Sequence, residues 1–105
     1  MDNLNFARPA RSATIRPTQV GYVGSGDLEV MIDHAEGDET TIYVQSTTHG
    51  GERRWQQIIE RLEANGPLPA MRMDIHDFSA TPGVIRLRIE QALEAALAHG
   101  ENHHE

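Results

Sequence analysis

A serine between two glycines is the residue of this sequence best placed to do chemistry. Gly24, Ser25 and Gly26 are followed by Asp27, and the segment separates two stretches in which apolar residues alternate. Glycines of this kind supply the positive φ angles that a tight hairpin connection needs, so the serine hydroxyl is expected to project from an anchored turn. A hydroxyl in that setting is accessible to another enzyme. Gly and Ser are also ordinary turn residues, so the same segment fits a purely structural turn.

The surroundings of Ser25 do not match the common catalytic or nucleotide-binding loops. A nucleophile elbow, G-x-S-x-G, needs glycine two residues before the serine, where the sequence has Val23. The dinucleotide motif G-x-G-x-x-G fails because Glu29 stands where its last glycine belongs. A hydrolase that uses Ser25 with His76 and an aspartate is the weakest hypothesis, because a hairpin turn has no helix dipole to activate the serine.

The histidines give no convincing metal-site pattern. His76 stands between two aspartates, where a role as proton shuttle competes with simple local hydrogen bonding. Three others lie in the C-terminal tail and would be neighbours only if that tail were helical, so a solvated tail and no metal site are predicted. The six histidines are His34, His49, His76, His99, His103 and His104.

Composition excludes several classes of function. The chain has 105 residues, which predicts one domain, and it contains no cysteine, hence no disulfide framework, thiolate nucleophile or cysteine zinc site. All nine basic residues are arginine, and the net charge of −7 makes a nucleic-acid partner unexpected and a partner with a basic docking surface suitable. No run approaches the length of a membrane span and no apolar leader is visible, so neither a membrane partner nor a secretory signal is expected.

Hydrophobic periodicity predicts the elements that position Ser25. Apolar residues at every second position, typical of half-buried strands, occur on both sides of the turn and in two later segments. The predicted strand residues are Val20 and Tyr22; Leu28, Val30 and Ile32; Ile42 and Val44; and Met71, Met73 and Ile75. Two other segments carry one apolar stripe at helical spacing. The stripes are Trp55, Ile58, Ile59 and Leu62, then Ile85, Ile89, Ala92, Leu93 and Ala96.

Thr81 and Pro82 are typical of a helix start, as N-cap and first helical residue. Residues 84–89 also alternate, so a strand remains an alternative for the first turns of this helix. The predicted order is β-β-β-α-β-α. Because both helices are one-sided, we predict an α+β two-layer sandwich, with a mainly antiparallel sheet of about four strands and both helices on one face. Residues 1–17 are predicted to be an arm, or a short strand near Leu4–Ala7; residues 18–98 form the domain and 99–105 a polar tail.

Sequence motifs through most of the chain resemble one known family. The segment VGSGDLEV (23–30) is followed by DIHDF (74–78), ATPGV (80–84) and RLR (86–88), with VQS (44–46), RWQ (54–56) and EQ (90–91) between and after them. Together they resemble the acyl carrier protein of malonate decarboxylase, its delta subunit, and more distantly the acyl carrier subunit of citrate lyase. The resemblance covers residues 20–91.

The resemblance implies a carrier that is not itself catalytic. Ser25 would be esterified through a phosphodiester to phosphoribosyl-dephospho-coenzyme A by a dedicated prosthetic-group transferase, with Gly24, Gly26 and Asp27 forming the turn around it. Acetyl on the thiol of that group would be exchanged for malonyl by a transferase subunit, and a decarboxylase subunit would release carbon dioxide, all in a bacterial cytoplasmic complex. The thiol belongs to the group, so a cysteine-free chain is no obstacle. Ordinary carrier proteins are helical bundles with the serine at a helix start, so standard phosphopantetheine transfer is not expected. A small regulatory or assembly module with an unmodified turn remains the alternative.

Overall fold

A six-stranded mixed sheet with two helices forms the framework that carries the Ser25 loop. The structure, a computed structural model, describes residues 2–101, and side chains from 2 to 97. The strands are β1 (Asp2–Arg11), β2 (Thr18–Gly21), β3 (Leu28–Asp33), β4 (Glu39–Ser46), β5 (Leu68–Pro69) and β6 (Met71–Asp77). The helices are α1 (Glu52–Leu62) and α2 (Pro82–Glu101). The spatial order of the strands is β2-β3-β6-β4-β1-β5.

The α+β class is confirmed, whereas the predicted sheet is wrong in detail. The sheet has six strands rather than about four, and the chain order is β-β-β-β-α-β-β-α. The β2–β3 and β3–β6 pairs are antiparallel as expected, but β4 pairs with β6, and β1 with β5, in parallel. The parallel β4–β6 pair follows from the connection between them, because that connection contains α1 and returns the chain to the end at which β4 began.

The N-terminal segment is a long strand rather than an arm with a short strand near Leu4–Ala7. Strand β1 pairs antiparallel with β4 from Asp2, opposite Ser46, to Pro9, opposite Glu39. Leu4 and Phe6 pack against the core, and Asn5 between them is exposed. Proline is tolerated because β5 pairs with β1 only beyond Pro9, which leaves residues 2–9 at the open edge of the sheet.

One face of the sheet carries the hydrophobic core, and both helices contribute to it. The inward residues of β3, β4 and β6 alternate with more exposed ones, as the sequence pattern predicted. Trp55 and Ile59 of α1 are buried in the same core cluster. Helix α2 adds four fully buried positions to it, namely Ile85, Ile89, Ala92 and Ala96. The strand alternative for residues 84–89 is therefore wrong.

The start of α2 is confirmed. The helix begins at Pro82, and the Thr81 hydroxyl accepts a hydrogen bond from the Val84 N–H at 3.3 Å. The helix reaches Glu101, into the predicted polar tail, and residues 102–105 lie outside the described residues. Within residues 2–101, neither helix is both long and apolar enough to cross a membrane.

Replacement of Trp55 with alanine should destabilise the fold strongly. The side chain is 1 % exposed and is the largest fully buried one, so truncation leaves a cavity that neighbours fill only in part. We expect the free energy of unfolding, measured by chemical denaturation, to fall by about 3–5 kcal/mol. Gln56→Ala, at an exposed position of the same helix, is the control and should stay within about 0.5 kcal/mol of the wild type. A loss below about 1 kcal/mol for Trp55→Ala would contradict a central core role.

Candidate functional site

Ser25 is exposed at the tip of the loop that joins β2 to β3. The turn closes through the Asp27 N–H, which donates to the Gly24 carbonyl at 3.1 Å, and the Tyr22 N–H donates to the Leu28 carbonyl at 3.2 Å. Gly26 has the expected positive φ of 80°, whereas Gly24 does not have a positive φ, so the expectation is wrong for Gly24. A Cβ placed at either glycine would meet no atom within 4 Å. The loop is therefore anchored at its base and sterically open beside the serine.

A second set of backbone hydrogen bonds ties the loop to the end of β6. The Gly26 N–H donates to the Phe78 carbonyl at 2.7 Å, and the Phe78 N–H donates to the Asp27 carbonyl at 3.0 Å. These bonds continue the β3–β6 ladder, in which Leu28 lies opposite Asp77. The backbone on the C-terminal side of Ser25 is thus fixed by a neighbouring strand as well as by its own turn.

Asp27 is held by an arginine from α2. Arg88 donates from Nε to Asp27 Oδ1 at 3.1 Å and from Nη2 to Oδ2 at 3.0 Å, a bidentate arrangement. These bonds, with the Leu28 N–H that donates to Oδ1 at 2.7 Å, lower the pKa of the Asp27 carboxyl. The Arg88 guanidinium also lies 5.5 Å from the centre of the Tyr22 ring. Because Asp27 is two residues from Ser25, this pair connects the serine loop directly to α2.

Sequence reasoning placed Asp27 at the site but missed Arg88. The two residues are 61 positions apart, and Arg88 lies among residues that also fit a solvated helix face. Their meeting depends on α2 packing against β2 and β3. The Arg88 side chain is only 22 % exposed, which distinguishes it from the 66 % exposed Arg86 on the same helix.

Among the side chains that the structure describes, none hydrogen-bonds to Ser25 as a catalytic base. None of the hydrogen bonds within the described residues involves the Ser25 hydroxyl. The His76 ring contacts a carboxylate oxygen of Glu29 instead, at 3.2 Å from Nδ1. Asp77 is buried, and it accepts hydrogen bonds from the Ser46 hydroxyl and the Ala80 N–H, both at 2.9 Å. A serine hydrolase that uses these residues therefore has no support in the geometry.

No cluster of three or more His, Cys, Asp or Glu residues that could hold a metal ion occurs in the described part of the chain. The side chains of the predicted tail, including those of His99, His103 and His104, lie outside the described residues, so their arrangement stays a prediction.

The Asp27–Arg88 pair should have a measurable effect on the acid titration of the Asp27 carboxyl. The pKa of Asp27 is lowered in the folded chain, so the pair stabilises the fold above the unfolded-state pKa and its contribution is lost as the pH falls through the folded-state pKa. In Arg88→Met we expect the pKa of Asp27, followed by NMR of its carboxyl carbon, to rise toward the ordinary range. Arg8→Met, which breaks a different ion pair, that of Arg8 with Glu63, is the control and should leave the titration of Asp27 in place. An identical Asp27 titration in Arg88→Met and the wild type would contradict the assignment.

Comparisons with known proteins place this geometry in one family. Residues 15–96 match the family model for the malonate decarboxylase delta subunit (MdcD), an acyl carrier protein. The malonate decarboxylase acyl carrier protein of Azotobacter vinelandii is 47 % identical over 94 residues, which cover 90 % of this chain and 95 % of the relative. That of Pseudomonas aeruginosa is 47 % identical over 96 residues, with 91 % and 97 % covered.

A solved structure agrees with these sequence matches. The chain is similar to one in the crystal structure of a Pseudomonas malonate decarboxylase hetero-tetramer in complex with malonate, with a TM-score of 0.86 and 45 % sequence identity. The match covers 90 % of this chain and 98 % of the other. The family model spans most of the chain and the relatives match over nearly their whole length, so the chain belongs to the malonate decarboxylase acyl carrier protein family.

Proposed function

We propose that Ser25 is the attachment point of the acyl-carrying group, phosphoribosyl-dephospho-coenzyme A, bound through a phosphodiester. The observation that supports this is the Ser25 hydroxyl itself, exposed on a loop fixed by β6 and α2 and free of hydrogen bonds to the described residues. A carrier needs a hydroxyl that another enzyme can reach on a scaffold that does not collapse around it. The surroundings of Ser25 meet both needs.

The residues around Ser25 fit a covalently attached group better than a group enclosed in a binding pocket. The open space beside Gly24 and Gly26 leaves room for a phosphodiester, and a covalent bond removes the need for a binding pocket. In the attachment step, the Ser25 oxygen forms a bond to phosphorus of an activated phosphoanhydride donor. The anhydride bond breaks, its phosphate leaving group departs and the hydroxyl proton passes to a base of the transferase. When bound, the group supplies the thiol for acetyl and malonyl, which a chain without cysteine cannot supply itself.

The chemistry of decarboxylation belongs to partner subunits in this proposal. Loss of carbon dioxide from a malonyl thioester builds charge on the thioester oxygen, and preorganised donors must stabilise that charge. Ser25 projects from an open loop, where such a water-excluded site is lacking. The role of the chain is therefore to present the thioester in turn to an acyl transferase subunit and a decarboxylase subunit of a cytoplasmic complex. The hetero-tetramer that contains the similar Pseudomonas chain supports an assembly of this kind.

An unmodified assembly module is the competing hypothesis, and intact mass decides between the two. The full chain is produced together with the enzymes that make and attach the prosthetic group. Its intact mass is then measured by mass spectrometry, and peptide mapping locates the modification. The carrier proposal expects one phosphoribosyl-dephospho-coenzyme A increment on the peptide that contains Ser25. An unmodified mass, obtained while the same enzymes load a known carrier, would overturn the proposal and favour the assembly module.

A further inference from the structure

We propose that the Tyr22 ring binds the adenine base of the prosthetic group once that group is attached to Ser25. The inference rests on the proposed function of Ser25 and goes beyond it, because it assigns a noncovalent binding site for one end of the group. In phosphoribosyl-dephospho-coenzyme A the phosphoribosyl unit is joined to adenosine, and the thiol lies at the opposite end. Adenine is therefore the ring system that stays near the serine after attachment.

Tyr22 is the exposed aromatic side chain of this protein. The chain has one tryptophan, two tyrosines and two phenylalanines. Tyr22 is 71 % exposed, and the others are buried or half-buried, namely Trp55, Phe6, Tyr43 and Phe78. Single exposed apolar residues are common on protein surfaces, so exposure alone carries no argument. The place of Tyr22, in the loop that carries Ser25 and three residues before it, is what points to a ligand at this loop.

A fixed guanidinium holds the Tyr22 ring from one side. Arg88 donates from Nε and Nη2 to the Asp27 carboxylate, and from Nη1 to Gln91 Oε1 at 3.3 Å. These bonds fix the plane of the guanidinium, which lies over the ring, 5.5 Å from its centre. The Arg88 side chain is mostly buried, so it occupies the protein side of the ring, and the exposure of Tyr22 leaves the opposite side to solvent.

A restrained aromatic ring with one open face is suited to stack on a purine base. Stacking of this kind requires two planar surfaces, and every base has a π-face. The contact with Arg88 restrains Tyr22 before the base arrives, which lowers the entropy lost when the base covers the ring. The loop itself offers no obstruction, because a Cβ placed at Gly24 or Gly26 would meet no atom within 4 Å.

The covalent bond to Ser25 favours the base over a partner protein as the occupant of this face. Attachment makes the contact intramolecular, and short flexible tethers give effective concentrations of about millimolar. Arg88 contacts both Tyr22 and Asp27, so the ring lies beside the loop from which the group would project. A base held on Tyr22 fixes the adenosine end of the group and leaves the thiol end free to reach the acyl transferase and decarboxylase subunits.

The test is proton NMR of the full chain loaded at Ser25, compared with the unloaded chain and with free dephospho-coenzyme A. A base stacked on a tyrosine lies in the ring current, so we expect the carbon-bound adenine protons of the loaded wild type to shift upfield from their positions in the free compound. Nuclear Overhauser effects should join these protons to the Tyr22 ring. Tyr22→Phe keeps an aromatic ring and should retain the upfield shift, whereas Tyr22→Leu should lose it.

Tyr43→Leu is the matched control, because Tyr43 also lies against an arginine, with the Arg72 guanidinium 4.6 Å from its ring centre. Tyr43 belongs to β4, away from the Ser25 loop, so its loss should leave the shifts of the adenine protons unchanged. Intact mass confirms loading at Ser25 in each sample before the spectra are compared.

Three results would overturn the proposal. Adenine protons of the loaded wild type at the positions of free dephospho-coenzyme A would show that the base is not bound. Upfield shifts that persist in Tyr22→Leu would place the base elsewhere on the chain. Shifts that appear only after the decarboxylase subunits are added would assign the base to those subunits. A wild-type chain that is never loaded at Ser25 would overturn the proposed function as well, whereas a loaded chain without the shifts overturns this inference alone.

Discussion

Ser25→Ala is expected to abolish prosthetic-group attachment, and with it malonate decarboxylation by the reconstituted complex, while the fold is preserved. The alanine lacks the oxygen that forms the phosphodiester, so the group cannot be attached at position 25. Ser25 is exposed, and its hydroxyl makes none of the hydrogen bonds within the described residues, so we expect the free energy of unfolding to change by no more than about 0.5 kcal/mol. Intact mass, turnover and chemical denaturation measure the three quantities on one preparation.

Ser12→Ala provides the control, because Ser12 is also an exposed serine outside the helices and strands. It should be loaded and support turnover as the wild type does. Full loading of Ser25→Ala would place the attachment point at another residue, and peptide mapping would identify it. A large loss of stability in Ser25→Ala would instead indicate that the serine is part of the turn's own structure.

Arg88→Met should slow Ser25 loading by about ten- to a hundredfold without unfolding the chain. The variant keeps the aliphatic part of the side chain but removes both hydrogen bonds to Asp27 and the contact with the Tyr22 ring. Asp27 then no longer connects the loop to α2, so the serine samples more positions and spends less time in the reactive one. The loading kcat should fall more than the KM rises, which separates misplacement of the hydroxyl from loss of a docking contact.

Arg8→Met supplies a matched control for the loss of an arginine–carboxylate pair. Arg8 donates from Nε to Glu63 at 3.0 Å, and the two side chains are 28 % and 16 % exposed, close to the 22 % and 21 % of Arg88 and Asp27. It should lose comparable stability and load normally. Asp27→Asn combined with Arg88→Met should be no slower than the worse single variant, because both break the same contact. Strictly additive losses would show that the two residues act independently.

The strand and helix pattern around the core was predictable because burial on one face imposes a period. Alternation in β3, β4 and β6 and the stripe of α2 each follow from which side chains must leave water. The Thr81–Pro82 helix start was equally local, since an N-cap depends on a few neighbouring residues. The Ser25 turn was also predictable from neighbouring residues, because the spacing of Gly24 and Gly26 indicates a tight connection between two strands.

Two parts of the sheet were not predictable from such local patterns. Strand β1 contains Pro9 and several polar residues, and it becomes a strand through its pairing with β4 rather than through its own propensity. Tyr22 was assigned to the strand pattern, yet it lies beyond β2 and is exposed. Gly21, with φ of 96°, approaches the Leu28 carbonyl so closely that a Cβ there would lie 2.0 Å from its oxygen, and this local geometry ends the strand.

The sequence by itself determined the family, the α+β class and the serine on which the proposed function depends. These follow from residue identity and spacing within short segments, which can be recognised in the sequence without knowledge of the fold. Only the tertiary structure decided how that serine is held and what surrounds it. The Arg88 contact with Asp27 joins residues 61 positions apart, and the same guanidinium lies 5.5 Å from the centre of the Tyr22 ring. Such contacts depend on where α2 packs against β2 and β3, a long-range result of core burial that no local pattern encodes.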